Sequence, residues 1–321
     1  MSENSTNLTG ITDSRYALMA AFVHGFIAIF GTLTNAVVML TYLKWRRTMF
    51  ETPRDLLIFT LALADCITSL FVAPIGMAAS IAGRWSSGRA GCVWYGFVST
   101  WMGLASILQL TGIAAERYFT LAHPDLRWSG ICKKYARLFI ALAWLVSGLT
   151  STCPLFGWSK YDLEGIGLHC SIVWSASTLN YGSYSLFLLV FFFVIPLGLI
   201  MYFYTNVYFV VRRLSSEAES LWGADDMATR QTYIAQVKVA RQLVLLTGMF
   251  LFAWTPYAVM SFISVANIIK PDKKTSVLPA VFAKMSYVYN PLVYFFTFKR
   301  LRRRSIQLFK RSTVQWRTND M

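Results

Sequence analysis

The run "VFAKMSYVYNPLVY" (281–294) places one lysine, Lys284, in an otherwise apolar and aromatic stretch. A free ammonium in hydrocarbon costs roughly 2.5 kcal/mol or more by insertion scales, so that nitrogen needs an anion or a covalent partner. Lys284 lies about 10 Å below the outer end of its segment at ~1.5 Å per residue, deeper than a lysine that simply reaches up to the interface. In "FLFAWTPYAV" Phe250, Trp254 and Tyr257 recur at i, i+4 and i+7 and share one helical face. Trp94, Tyr95 and Trp101 fall on another apolar segment. An amine beside an aromatic slot is suited to Schiff-base chemistry with a carbonyl ligand.

Three carboxylates fall at or near the depth of apolar segments: Asp65, Glu116 and Glu164. Asp65, in "LALADC", shares its depth with Asn35 and Asn290, and the three can form one polar, water-bridged cluster. Glu116-Arg117-Tyr118 ends a span at the inner face, where the acid and base can hold each other and then part. No His/Cys/Asp/Glu spacing in the chain suggests a metal.

The elements that must position these groups are helices. The 321 residues are 56% hydrophobic and 14% charged, against about 25% charged in soluble proteins. Seven apolar stretches are long enough to span a bilayer: 16–43, 54–81, 90–121, 135–156, 179–211, 239–268 and 277–298. The expected fold is an all-α membrane protein, a seven-helix transmembrane bundle. Its parts are an extracellular tail (1–15), the bundle (16–298), a short amphipathic helix on the membrane surface (299–311) and a cytoplasmic tail (312–321). The opening "MSENSTNLTG" lacks a basic n-region and does not read as a cleavable signal.

The net charge of +15 is distributed as a topology signal. Lys and Arg crowd the segments that become cytosolic when the N-terminus is outside, as in "KRLRRRSIQLFKR" (299–311). They flank spans, which favours anionic lipid as partner over nucleic acid. The sequons at Asn4 and Asn7 agree with an outer N-terminus. Of five cysteines, Cys92 and Cys170 face the oxidising side, with Cys153 as the rival partner. The Cys92–Cys170 bridge is favoured; it would pin the outer loop over the bundle. Pro74, Pro196, Pro256 and Pro291 sit inside spans and permit kinks.

The chain resembles the animal opsins, the retinal-binding branch of the rhodopsin-like G-protein-coupled receptors. The resemblance rests on Asn35, "LALAD", Cys92, "ERY" (116–118), Trp144, "PLFGW" (154–158), Cys170, Pro196, Tyr204, "WTPY" (254–257) and "NPLVY" (290–294), and covers essentially the whole chain. Its most specific part is Lys284 seven residues before Pro291. The resemblance implies that 11-cis-retinal joins Lys284 as a protonated Schiff base. It implies a pocket of Tyr95, Thr100, Gly103, Trp174, Phe193, Phe250, Trp254, Tyr257 and Ala258, and a switch of Asp65, Glu116, Arg117, Tyr204, Asn290 and Tyr294. Vertebrate visual pigments keep the counterion three residues after the third-span cysteine, where this chain has Tyr95. The remaining candidate is Glu164, six residues before Cys170, with Asp162 as rival.

Opsins of that kind, invertebrate-type in this respect, tend to be bistable. The resemblance implies a multi-pass cell-membrane receptor, not an enzyme, that activates a heterotrimeric G protein, Gs or Gq rather than transducin, with arrestin as a further partner. Gln236 stands where many related receptors place a glutamate that clasps the third-span arginine. Rival readings are a receptor for a diffusible ligand, in which Lys284 has no role, and a retinal photoisomerase, for which "ERY" and "NPLVY" have no use. A light-driven pump fares worse, since no chain of acids crosses the bundle.

Overall fold

A computed structural model describes residues 3–122, 130–174, 178–221, 227–266, 268 and 277–319. Among these, six helices are long and apolar enough to cross a membrane: Ser14–Lys44, Pro53–Ile81, Gly88–Ala122, Lys133–Leu155, Leu179–Arg213 and Thr247–Val265. The seventh crossing is made by two helices, Val277–Lys284 and Ser286–Thr297, parted by a turn at Met285. The break falls directly after Lys284, so the lysine ends a helix instead of lying within one.

Local sequence explains the helix ends and bends. The second span starts at a capping box: Thr52 Oγ1 accepts from the Asp55 amide, and the Asp55 carboxylate accepts from the Thr52 amide at 2.9 Å. Pro53 fills the first helical position, where no donor is missed. Wide π-turns occupy Thr68–Val72 and Val190–Val194, immediately ahead of Pro74 and Pro196. A proline ring cannot donate and crowds the preceding turn, and a widened turn relieves that conflict. Pro256 and Pro291 lie inside the sixth and seventh helices.

The third span is the hub, packing against the second, fourth and fifth and against a β-hairpin. Its buried small residues, Gly96, Gly103, Ala105, Gly112 and Ala114, let those neighbours approach. The hairpin pairs β1 (Tyr161–Glu164) with β2 (His169–Ile172) in antiparallel register, with Leu163 opposite Cys170 and Glu164 opposite His169. Gly165 and Gly167 both take positive φ in its turn, a conformation natural to glycine. Three links tie the hairpin to the bundle. The Cys92–Cys170 disulfide, with Cα atoms 5.3 Å apart, bridges it to the third span; Arg89 donates to the Tyr161 carbonyl at 2.6 Å; and the Tyr161 hydroxyl donates to the Ser151 carbonyl at 2.8 Å. Cys153 carries a free thiol.

The last helix runs Lys299–Asn319, past the 311 expected from sequence. It docks through buried Leu301 and through Ser305, which hydrogen-bonds Thr41 of the first span at 3.0 Å. Arg300 pairs with Glu51 at 2.9 Å, and the Arg304 guanidinium lies over Trp45. The Arg300 guanidinium holds the Glu51 carboxyl below its usual range, mainly through its hydrogen bond. The side chains of Asn4, Asn7, Cys132, Gln236, Ser312, Thr313 and Thr318, and Asp225 and Asp226 altogether, lie outside the described residues.

Candidate functional site

A cavity with about 930 Å³ of empty space opens among the third, fifth, sixth and seventh spans beneath the hairpin. Thr100 and Gly103 contribute from the third span, Phe193 from the fifth, and Phe250, Trp254, Tyr257 and Ala258 from the sixth. Trp174 follows β2 and Lys284 comes from the seventh. The 3.6-residue period explains the sixth-span wall: Phe250 and Trp254 stack at 5.5 Å, and Trp254 meets Tyr257 edge-on at 6.2 Å. Gly103 makes room for the tryptophan, since a Cβ there would lie 3.0 Å from Trp254 Cη2. Trp254 Nε1 donates to Ser286 Oγ at 3.3 Å, joining the sixth span to the seventh just past the Met285 turn.

Lys284 is the single charged residue among the described lining residues. Its Nζ approaches the Ala280 carbonyl of its own helix at 3.5 Å, a long contact for a charged donor. A primary amine facing a mostly apolar and aromatic space fits a polyene aldehyde by chemistry.

Glu164 is brought to this amine by the hairpin. It stands outside the cavity lining and outside ion-pair distance of Lys284, yet close enough to feel its charge. Burial pushes its carboxyl up, but His169, the Lys284 charge and Ser171 together hold it below the usual carboxylate range. Asp162 faces outward, 2.7 Å from Lys160 and 3.8 Å from Arg89, and is held low chiefly by the Lys160 hydrogen bond. Nothing directs it toward Lys284.

Tyr95 corrects the sequence expectation for the pocket. It is fully buried but does not line the cavity; it sits behind it with Val72, Cys92 and Cys170. Its hydroxyl meets His24 Nε2 at 3.3 Å. The physical reason is helical phase: Tyr95 lies between Cys92, turned to the hairpin, and Ser99, turned to the cavity. His24 Nδ1 donates to the Ala20 carbonyl at 2.8 Å, so Nε2 is the bare nitrogen that accepts from Tyr95.

Sequence reasoning also missed His24, His169 and Ser286. His169 is wholly buried, with Nε2 3.2 Å from Glu164 Oε2. His24 fits against Gly76, where a Cβ would lie 2.5 Å from its ring.

Away from the cavity lining, Asn290 Nδ2 donates to Asp65 Oδ2 at 2.9 Å, both residues fully buried. Asn35 stands apart from that bond, donating to the Gly31 and Tyr287 carbonyls at 2.9 and 2.8 Å. Arg117 lies 3.5 Å from Glu116, which also accepts from Thr120 at 3.1 Å. The Tyr204 hydroxyl bonds Thr247 at 2.9 Å, tying the fifth span to the sixth. Tyr294 is fully buried.

Comparison with known proteins places this arrangement in context. The family described as 7 transmembrane receptor (rhodopsin family) matches residues 34–294. Mouse (Mus musculus) Opsin-3 is 33% identical over 294 residues, 90% of this chain and 70% of its own length. A melanopsin from Felis catus is 31% identical over 283 residues, 86% of this chain and 57% of its own length. The chain thus spans little more than half of that melanopsin. The crystal structure of squid rhodopsin superposes with a TM-score of 0.82 at 26% identity, covering 93% of this chain and 86% of that one.

Proposed function

The chain belongs to the animal opsins, light-sensing receptors of the rhodopsin seven-transmembrane family, and from that premise we propose that Lys284 carries 11-cis-retinal in the dark while Glu164 balances the charge. It is a multi-pass membrane protein that binds a retinal chromophore and couples to a heterotrimeric G protein, a signalling receptor and not an enzyme. The observation that carries the reading is Lys284 itself, the one amine among the described residues of a cavity walled by Phe250, Trp254 and Tyr257.

Bound through the Lys284 nitrogen, retinal supplies visible absorption and a light-driven change of shape. The rest belongs to the protein. Glu164, fixed by the hairpin and kept ionised, compensates a cation that the apolar cavity would otherwise expel. Trp254 packs against Gly103 and Phe250, so pressure in the cavity falls first on that ring. Moving it strains the bond to Ser286 and the sixth helix at Pro256, two residues on. The sixth span then swings at its inner end, loosening Tyr204 from Thr247 and Arg117 from Glu116, and Tyr204 and Tyr294 turn inward. The cleft so opened takes the G protein; light biases a two-state packing equilibrium and the opening reads it out.

With a loop carboxylate as counterion, the pigment is bistable. The N-terminus is extracellular and glycosylated at Asn4 and Asn7, and the C-terminus is cytoplasmic. Gs or Gq is the favoured partner, with arrestin binding a further interaction.

The test is reconstitution with 11-cis-retinal, followed by spectra and nucleotide exchange on added G protein. The reading expects a visible band, exchange only after light, and recovery of the dark band by a second wavelength. Isomerised retinal released without exchange would make the protein a photoisomerase instead.

A further inference from the structure

The Glu164–His169 pair does more than close a hairpin. That hairpin already has its β1–β2 ladder, a glycine turn and the disulfide at Cys170. Yet it turns an imidazole inward to zero exposure and sets Nε2 3.2 Å from Glu164 Oε2. We propose that His169 is the positioning residue for Glu164, donating its Nε2 proton to the carboxylate so that charge balance at Lys284 is a property of the pair. This rests on the reading of Glu164 as counterion and deepens it.

The surroundings leave His169 no other use for that proton. Neither ring nitrogen completes a hydrogen bond among the described residues, but Nε2 is the one that stands 3.2 Å from an anion, close enough for a small rotation of the ring to turn its proton onto Glu164 Oε2. The first span presents His24, its ring 6.4 Å away, with Nδ1 committed to Ala20 and Nε2 to Tyr95 of the third span. The seventh span presents the Lys284 charge, and the sixth presents Tyr257, which reaches the Glu164 carboxylate. Ser171 approaches the same carboxylate from β2. Glu164 is thus the sole anion in the cluster.

Electrostatics agree with the geometry. Burial, then the Lys284 charge, press the imidazole below its ordinary value against the pull of Glu164. Burial pushes the carboxyl up, but His169 and the Lys284 charge outweigh it and hold the carboxyl low. The resting pair is therefore a neutral ring and an ionised acid, one negative charge against one positive. A further proton taken up by either member leaves the Lys284 cation unbalanced, at an apparent value that belongs to both.

The experiment titrates the visible band of the full-length dark pigment from about pH 8 to about pH 4, the range that brackets imidazole and carboxylate. In wild type, acid shifts the band to longer wavelength as the pair loses its charge. In His169→Phe the carboxylate lacks its donor and takes up its proton more readily, so the midpoint rises by about one unit or more, a tenfold change in proton concentration. His169→Asn restores a donor that does not titrate and brings the midpoint back toward wild type. A His169→Phe midpoint equal to wild type overturns the proposal.

A second measurement needs no folded variant with altered charge. Nitrogen spectra of wild-type pigment with labelled histidine report which ring nitrogen of His169 carries the proton. The proposal requires Nε2; a proton on Nδ1 with bare Nε2 facing the carboxylate overturns it. Failure of the underlying reading looks different: Glu164→Gln would then leave the band and its titration unchanged.

Discussion

Trp174 Nε1 donates a 2.7 Å hydrogen bond to the Tyr257 hydroxyl, and the two rings meet edge-on at 5.4 Å. Both residues line the cavity. The bond therefore fastens the segment after β2 to the sixth helix across the chromophore space. It acts as a latch that must hold in the dark and can yield when the sixth span moves.

Trp174→Phe keeps most of the ring area and removes the donor. A single hydrogen bond contributes about 0.5–1.5 kcal/mol, so loss of the dark pigment to hydroxylamine should accelerate by roughly 2- to 12-fold at 1.4 kcal/mol per decade. A rate equal to wild type would mean that the latch is not closed in the resting pigment.

Asn290 and Asp65 meet at 2.9 Å in full burial, joining the seventh span to the second. Asp65→Asn and Asn290→Ala should therefore fail to add: partners in one buried bond show interaction energies of about 0.5–3 kcal/mol. Thermal unfolding of the two single variants and the double variant measures this. Light-driven exchange should change as well, with the absorption band unmoved, because neither residue lines the cavity. Strictly additive stabilities would remove this pair from the switch.

The Glu164 carboxyl is held below its ordinary range, so the ionised form is the one the fold favours. Its contribution is present above the ordinary carboxylate value and is lost as pH falls through the lower, folded one. Glu164→Gln removes the anion at every pH. The dark band at neutral pH should then move toward the ultraviolet, and acid should return it to the visible. Spectra across pH decide this, and a neutral-pH band at the wild-type position would pass the counterion role to another group.

Much of this could be read along the chain because local rules suffice for it. Span number follows from apolar length. The Phe250–Trp254–Tyr257 wall follows from helical period, whereas the choice of Cys170 over its rival Cys153 as the partner of Cys92 is made by the hairpin packed on the third span. The Met285 break was not legible, because no proline or glycine marks it; the nearest, Pro279 and Pro291, each lie six residues away. Nor was the retreat of Tyr95 behind the cavity, which depends on which neighbour each face of the third span meets. His24 and His169 escaped notice because a lone histidine in an apolar setting gives no one-dimensional signal. Their roles arise only when the hairpin register sets His169 against Glu164 and Gly76 admits the His24 ring.

The central claim concerns the Lys284 nitrogen, and one comparison tests it most directly. Wild type and Lys284→Ala are each incubated with 11-cis-retinal, acid-denatured in the dark and scanned for chromophore that stays with the polypeptide. The account predicts a protein-bound, acid-stable visible species for wild type and none for the alanine variant. Equal retention by both, or a colourless wild type under the same conditions, would contradict it.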